Sequence, residues 1–317
     1  MSFSSDIKNE IAHLSPPGNC CAAAELAGLI RSCGALTLSG KAGVGVRIST
    51  EHAAVARHVK MMLSQHFGVN ATLMVGEAAL GRKSHVYELV VQPGVKAEKL
   101  LVQAGIISLS GDTRSLEGGF TNAIMRRKCC RKACLKGLFL GAGTMADPEK
   151  GYDLEIVLSS EQTAGAVRRL IGSFTDLHAG IRQRRGSYVV YMNASEEIKD
   201  ILNIIGAHAQ LLKFENVRVL KDVRNHTNRI NNCDSANYEK SISAAERQIA
   251  DIKSLQEADA LETLPQDLFE TALLRLGSPE ASLKEIGALS RPPITKTAAA
   301  ARFKRISGIA KIIQEQS

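Results

Sequence analysis

CCAAAELAGLIRSCG at residues 20–34 and CCRKACLKGLFLGAG at residues 129–143 match each other at an offset of 109 residues. Seven of the 15 positions are identical, including both members of the Cys-Cys pair and the glycines Gly28/Gly137 and Gly34/Gly143. A match of this length within one chain indicates a duplicated structural unit.

The hydrophobic pattern that follows each motif is also repeated. Alternating apolar residues predict strands, and apolar residues three and four apart predict helices. After the first motif we predict a hairpin over 36–48, a helix at 51–67, strands at 69–75 and 84–92, and a helix near 95–104. After the second we predict a strand at 152–159, a helix at 161–174, a hairpin at 177–193 turning at Arg185-Gly186, and a helix at 195–206. Each half therefore reads αββαββα, which predicts an α+β, pseudo-twofold domain over 1–217 with halves at about 1–110 and 123–217.

The composition limits the classes of protein to which the chain can belong. The 317 residues carry 40 Lys plus Arg against 32 Asp plus Glu, a net charge of +8, and this balance favours a polyanionic partner. We find no apolar run of about 20 residues, and the first residues carry acids where a secretion signal is basic and then apolar. We therefore expect a cytoplasmic protein without a membrane partner.

The cysteines argue for reduced thiols and against a metal. Seven Cys in a chain without an export signal are typical of free thiols. The sequence contains no CxxC pair and no HExxH, so we expect no metal site and no cofactor. Trp is absent and Phe plus Tyr number 13, which argues against stacking on single-stranded nucleic acid.

The composition changes after residue 217. Residues 218–257 are predicted to be a polar, Asn-rich connection followed by a helix at 236–257. Residues 258–317 are predicted to form an all-α domain with helices at 266–276, 283–289 and 296–314. Ser282 with Glu285 is a capping-box pattern, and Thr295 is a candidate N-cap for the last helix. Two short helices with a tight turn between them, the second one basic, predict a helix-turn-helix that places its second helix in the DNA major groove.

Charge supports this prediction, because residues 286–314 contain six Lys or Arg and no acid. Phe303, Ile306, Ala310 and Ile313 form the stripe that we expect to face the core. Thr297, Ala298 and Ala301 lie roughly opposite and are assigned to the groove floor, and the basic residues mainly to phosphates. The alternative is a solvated basic helix without a ligand. The predicted DNA-binding residues are Ser282, Lys284, Arg291, Thr295, Lys296, Thr297, Ala298, Ala301, Arg302, Lys304 and Arg305.

Two further basic groups are less specific. The first precedes and enters the second motif, and the second, Arg182 with Arg184, shares one face of a predicted strand. DNA contact and plain solvated charge are equally open for both groups. The first group comprises Arg126, Arg127, Lys128, Arg131, Lys132 and Lys136.

Residues 26–34 and 135–143 resemble the LAGLIDADG motif of homing endonucleases. The resemblance implies two helices side by side, with Gly28 and Gly137 at their close approach. It also implies that each helix ends at a metal-binding acid, but here those positions are Cys33 and Ala142. A thiol and a methyl group do not hold hard divalent cations, so we expect no nuclease and no enzyme. Asp147 and Glu149 lack symmetric acidic partners and are interpreted as turn residues.

The whole chain is similar to the bacterial WhiA family, which joins a degenerate LAGLIDADG repeat to a helix-turn-helix. The similarity rests on KCCRKA at 128–133, PEKGY at 148–152 and SLKEIG at 282–287, among other segments. It implies a nucleoid-associated regulator that binds double-stranded DNA and acts in sporulation-linked transcription, cell division or chromosome segregation. A sigma factor or a division protein is then a candidate partner. The alternative is a division-linked adaptor with secondary DNA binding.

One departure from the family pattern affects the last predicted helix, at 296–314. Relatives commonly carry Asn and His where this chain has Ala300 and Ala301. Asn can bind adenine through two hydrogen bonds, whereas alanine offers only apolar contact. We therefore expect a shifted or relaxed site preference.

Overall fold

The computed structural model describes residues 2–39, 43–77, 85–110 and 113–316. These residues form two compact units that divide after Leu220. The described part of the chain contains no helix that is long and apolar enough to cross a membrane.

The first half of the N-terminal unit has the predicted αββαββα order. The elements are α2 (Asn19–Cys33), β1 (Gly34–Ser39), β2 (Gly43–Thr50), α3 (Ala53–Phe67), β3 (Thr72–Glu77), β4 (His85–Val91) and α4 (Val95–Gln103). The four strands form one antiparallel sheet in the order β1-β2-β4-β3. Residues 40–42, between β1 and β2, and Ser84, at the predicted start of β4, lie outside the described residues.

The second half repeats the same order and topology. The elements are α6 (Lys128–Ala142), β7 (Gly143–Met145), β8 (Leu154–Leu158), α7 (Glu161–Ile171), β9 (Gly180–Arg184), β10 (Ser187–Met192) and α8 (Ser195–Ile205). The sheet has the order β7-β8-β10-β9, which corresponds strand by strand to the first sheet. Arg185 and Gly186 form the predicted two-residue turn, with φ of 50° and 81°. The predicted α+β duplication is confirmed.

Helices α2 and α6 pack backbone to backbone at the centre of this unit. A Cβ at Gly28 would lie 2.7 Å from the backbone nitrogen of Leu138. A Cβ at Gly137 would lie 2.9 Å from the carbonyl carbon of Glu25. Both distances are too short for a real side chain, so the two glycines permit the close approach that the resemblance implied.

Four elements of this unit were not predicted. Helix α1 (Phe3–Ile11) packs beside the helix pair, where the Ser4 hydroxyl donates to the carbonyl of Met145 at 2.7 Å and accepts from its N–H at 2.6 Å. A two-stranded hairpin and a short helix connect the two halves. These are β5 (Ile107–Ser110), β6 (Thr113–Leu116) and α5 (Asn122–Arg126).

The polar stretch after residue 217, predicted as a connection followed by a helix from residue 236, is helical throughout. Helix α9 (His208–Glu257) runs through it without a break. The Glu10 carboxylate accepts from the N–H groups of Ala209 at 2.7 Å and Gln210 at 3.0 Å and so caps its start. No Gly or Pro occurs between Gly206 and Pro265, so nothing in the backbone interrupts the helix despite the asparagines.

The C-terminal unit contains the three predicted helices around a core of its own. Ile252 and Leu255 of α9 belong to this core together with Leu268, Ile286 and Phe303. The core thus begins before residue 258, where composition had placed the start of the domain. A single 3-10 turn at Leu261–Thr263 precedes α10 (Gln266–Gly277), α11 (Leu283–Leu289) and α12 (Lys296–Gln316).

Candidate nucleic-acid interface

The two helices of the predicted helix-turn-helix begin at side-chain caps. Ser282 Oγ accepts from the N–H of Glu285 at 3.3 Å, and Glu285 Oε2 accepts from the N–H of Ser282 at 2.8 Å. Thr295 Oγ1 accepts from the N–H of Ala298 at 3.2 Å. The capping box of α11 and the N-cap of α12 are therefore confirmed.

The turn between α11 and α12 is closed by backbone contact. The N–H of Ile294 donates to the carbonyl of Gly287 at 2.9 Å, and a Cβ at Gly287 would overlap the carbonyl oxygen of Ile294. Ser290 Oγ donates to the carbonyl of Ile286 at 3.0 Å. Glycine at 287 thus allows α12 to pack against the end of α11 at one fixed position.

The buried stripe of α12 matches the prediction. Phe303, Ile306 and Ala310 are buried, Ile313 is half-buried against the same core, and Ala299 extends the stripe by one turn. This packing fixes which face of α12 meets solvent.

Most of the predicted DNA-binding residues lie on that solvent face or beside it. Ser282, Ala298 and Arg302 are half-buried, and the hydroxyl of Ser282 is occupied by its cap. Among the described residues no ion pair involves Lys296 or Lys304. The exposed ones are Lys284, Arg291, Thr295, Lys296, Thr297, Ala301, Lys304 and Arg305.

One carboxylate limits the free positive charge of this face. Asp267 Oδ2 of α10 lies 3.6 Å from Arg302 Nε and 3.5 Å from Arg305 Nη1. Arg302 Nη1 also donates to Thr271 Oγ1 at 3.2 Å. The sequence did not indicate these contacts, because the acid lies 35 residues before Arg302 and outside the acid-free segment. Phosphate must compete with Asp267 for both guanidinium groups.

Arg275 is a second residue that the sequence did not indicate, and its contacts fix the loop before α11. Arg275 is 1% exposed, and its Nε donates to Gln248 Oε1 at 3.0 Å. Its Nη1 donates to the carbonyl of Ala281, and its guanidinium lies 5.2 Å from the centre of the Phe303 ring. Arg275 therefore joins α9, the loop before α11, and α12.

Three basic residues of the N-terminal unit, Arg182, Arg184 and Lys136, are paired with carboxylates. Arg184 Nη2 lies 2.9 Å from Glu155 Oε2, Arg182 pairs with the same carboxylate, and Arg182 also lies 4.7 Å from the centre of the Tyr191 ring. Lys136, counted among the basic residues of the second motif, is buried. Its Nζ lies 3.1 Å from Glu25 Oε1.

Glu25 is the centre of a buried polar group between α2, α3 and α6. It is 1% exposed and accepts from Lys136 and, at 2.6 Å, lies against His58 Nε2. Lys136 also donates to the carbonyl of Leu14. A lysine committed in this way binds no phosphate, so the assignment of Lys136 to a surface basic group is wrong.

The ends of α2 and α6 do not offer a site for a hard cation. Cys33 donates to the carbonyl of Leu29 at 3.3 Å, and burial raises the pKa of its thiol to about 11. Lys8 of α1 is 6% exposed, and burial lowers the pKa of its ammonium to about 8, while Cys33 and Glu51 act in the opposite direction. A lysine beside a neutral thiol does not fit the divalent metal of a nuclease. Asp147 and Glu149 are exposed in a turn, where Asp147 Oδ1 accepts from the N–H of Glu149 at 3.0 Å.

The opposite ends of the same two helices bring four thiols together. The sulfur atoms of Cys20, Cys21, Cys129 and Cys130 all lie within 4.8 Å of one another. The sequence criterion considered spacing within one segment and therefore did not detect ligands that the duplication brings together from two.

Comparison with known proteins assigns both halves of the duplicated domain and the C-terminal helices to one family. The WhiA N-terminal LAGLIDADG-like domain matches residues 19–107, the WhiA LAGLIDADG-like domain matches residues 131–224, and the WhiA C-terminal HTH domain matches residues 227–310. The last match includes most of α9, in agreement with the core residues that α9 supplies.

Individual relatives match over nearly the full length. The probable cell division protein WhiA of Desulforamulus reducens is 41% identical over 315 residues, which cover 98% of this chain and 96% of the relative. The protein of the same description from Alkaliphilus metalliredigens is 37% identical over 310 residues, 98% of each chain. The crystal structure of full-length DUF199/WhiA from Thermatoga maritima is 26% identical, covers 98% of both chains and superimposes with a TM-score of 0.61.

Proposed function

Since this chain belongs to the WhiA family, we propose that it is a regulator of cell division, chromosome segregation or sporulation-linked transcription that binds double-stranded DNA through α12. The observation that carries the proposal is the solvent face of α12. That face is basic, its helix is capped at the start, and its opposite face is buried.

The predicted DNA-binding side chains divide by chemistry. Thr297, Ala298 and Ala301 lie near the start of α12 and are assigned to base edges, where a hydroxyl and two methyl groups give polar and apolar contact. Lys296, Lys304 and the other basic residues are assigned to phosphates, which give affinity and register but little sequence information.

Nuclease activity is not part of the proposed function. The positions of the two metal-binding acids hold Cys33 and Ala142, and Lys8 brings a positive charge to Cys33. A divalent cation there would have neither the oxygen ligands it prefers nor a favourable potential. We therefore assign the duplicated domain no catalytic role.

The proposal includes association with the nucleoid, which follows from DNA binding. A sigma factor or a division protein remains the proposed class of protein partner.

An adaptor that acts mainly through proteins is the second candidate. It is favoured by exposed apolar side chains on α9, a helix that is otherwise polar. Such side chains on a solvated helix are typical of protein contact surfaces. They are Val219, Leu220, Val223, Ile230 and Tyr238.

Charge reversal on α12 tests the first proposal. The full chain and its Lys296→Glu/Lys304→Glu variant would be titrated onto a fluorescent mixed-sequence duplex over a salt series with magnesium. The matched control is Lys240→Glu/Lys253→Glu, which changes net charge equally on exposed residues of α9. We expect the α12 variant to lose affinity by about tenfold or more and the salt slope to fall by about two, with the duplex intact.

An equal loss in the α9 control would mean that net charge alone drives binding, and the proposal would be wrong. Complementation of a strain that lacks its own family member distinguishes the second candidate. Full cellular function in an α12 variant that no longer binds DNA would favour the adaptor.

A further inference from the structure

Four thiols meet where α2 and α6 begin, at the end of the helix pair opposite to the lost acids. Their sulfur atoms lie within 4.8 Å of one another, and the Cys129 and Cys130 sulfurs are 4.0 Å apart. Tetrahedral zinc with Zn–S bonds of about 2.3 Å separates its sulfur ligands by about 3.8 Å. The group therefore needs a contraction of about 1 Å at most to become a tetrahedral site with four sulfur ligands.

We propose that Cys20, Cys21, Cys129 and Cys130 bind one Zn²⁺ ion and thereby cross-link the two halves of the duplicated domain. The four residues are hereafter called the thiol cluster. Each half supplies one pair, and the pairs are 109 residues apart in sequence. Cys21 and Cys130 are buried and Cys20 and Cys129 are exposed, so the cluster has a closed side and an open side through which an ion can enter.

The helix ends favour negative charge at this place. Both pairs lie in the first turn of their helices, where the helix dipole is positive. Neither α2 nor α6 has an acid in its first turn or a side-chain cap among the described residues. Two helix starts thus lie at one group of sulfurs without a carboxylate in either first turn, and this stabilises thiolates.

Basic residues supply the remaining charge balance. Zn²⁺ with four thiolates has a net charge of −2, and the guanidinium of Arg127 donates to Cys20 Sγ at 3.7 Å. Arg126, Lys128 and Lys132 are exposed nearby on α5 and α6. This gives a physical account of the basic segment that opens the second motif, distinct from contact with DNA.

Metal uptake by the full chain is the first test. The reduced protein would be freed of metal with a chelator and titrated with Co²⁺, followed by displacement with Zn²⁺. We expect one equivalent to bind with thiolate-to-cobalt charge-transfer absorption and the intense visible bands of tetrahedral cobalt. The Cys20→Ser/Cys129→Ser variant should bind at least tenfold more weakly. Cys233→Ser, at an exposed cysteine of α9 outside the cluster, should bind like the parent.

A second measurement needs no variant and therefore does not depend on how the substitutions fold. Thiol labelling of the native chain, mapped by peptide mass, should show Cys20 and Cys129 protected by Zn²⁺ by tenfold or more and Cys233 unaffected. The proposal is overturned if the cobalt spectrum lacks thiolate bands or if the double variant binds the metal as tightly as the parent. It is also overturned if Zn²⁺ does not change the labelling of Cys20 and Cys129, or if freshly isolated protein contains disulfides among the four residues.

Discussion

Two charged side chains are buried and paired in the central helix pair α2–α6, whereas on helix α12 most are exposed to solvent. Within the pair α2–α6, Glu25 and Lys136 are buried and neutralise each other inside the protein. On α12, Lys296, Lys304 and Arg305 meet solvent, and the only answering acid among the described residues is Asp267. The buried charged side chains of the paired helices therefore neutralise each other within the protein, whereas most of those on α12 stay exposed to solvent.

Removing the Glu25 carboxylate tests the buried ion pair between α2 and α6. Glu25→Gln leaves the ammonium of Lys136 buried without its counterion, and His58 loses the same partner. We expect a loss of about 3–5 kcal/mol in the free energy of unfolding, measured by urea denaturation. Glu149→Gln, at an exposed turn, should stay within about 0.5 kcal/mol of the parent. A loss below about 1 kcal/mol at Glu25 would show that the group is not a stabilising core element.

We expect the substitution of Lys8 to cause the next largest change in the free energy of unfolding, and this change depends on pH. Burial lowers the pKa of Lys8 from 10.5 to about 8, so between these values the unfolded chain holds a proton that the folded chain has released. Folding is therefore penalised below pH 8, and the penalty disappears as the pH rises towards 10.5. Lys8→Met should stabilise the protein at pH 7 by about 1–3 kcal/mol, and the gain should shrink by about pH 9.5.

Denaturation midpoints at about pH 7, 8.5 and 9.5 check this prediction. Lys60→Met, on the exposed face of α3, controls for the loss of a surface charge. A Lys8 variant whose gain is the same at all three pH values would contradict the cause assigned here.

Removing the Asp267 carboxylate tests how much positive charge α12 offers to DNA. Asp267→Asn releases Arg302 and Arg305 from their shared carboxylate, so both can pair with phosphate without competition. We expect DNA affinity to rise by about three- to tenfold in a fluorescence titration at fixed salt. Glu270→Gln, one turn further along α10, makes the same change in net charge and should have a smaller effect. Equal gains in both variants would assign the effect to net charge rather than to the two contacts.

Local patterns were sufficient to predict the duplicated fold and the orientation of α12. Both αββαββα halves follow from hydrophobic periodicity, and the buried stripe of α12 follows from the spacing of Phe303, Ile306 and Ala310. The sequence predicted α9 only from residue 236, because the asparagine-rich stretch before it is typical of a connection. The absence of Gly and Pro between residues 206 and 265 is the signal that favours one continuous helix.

Contacts between distant segments account for the other differences. Asp267 meets Arg302, and Lys136 meets Glu25, only because separate helices pack together. The thiol cluster is an intermediate case. Its two Cys-Cys pairs were visible in the repeat, and placing both at the start of paired helices is enough to bring them together.

A direct comparison of the two possible DNA surfaces tests the central claim. Lys296→Glu/Lys304→Glu on α12 and Arg182→Glu/Arg184→Glu on β9 make equal changes in net charge, and both would be titrated in the full chain onto one duplex over the same salt series. We predict a loss of about tenfold or more for the α12 variant and of about twofold or less for the β9 variant, because Glu155 already holds both arginines. The reverse order would place the DNA site on the sheet of the duplicated domain and contradict the account.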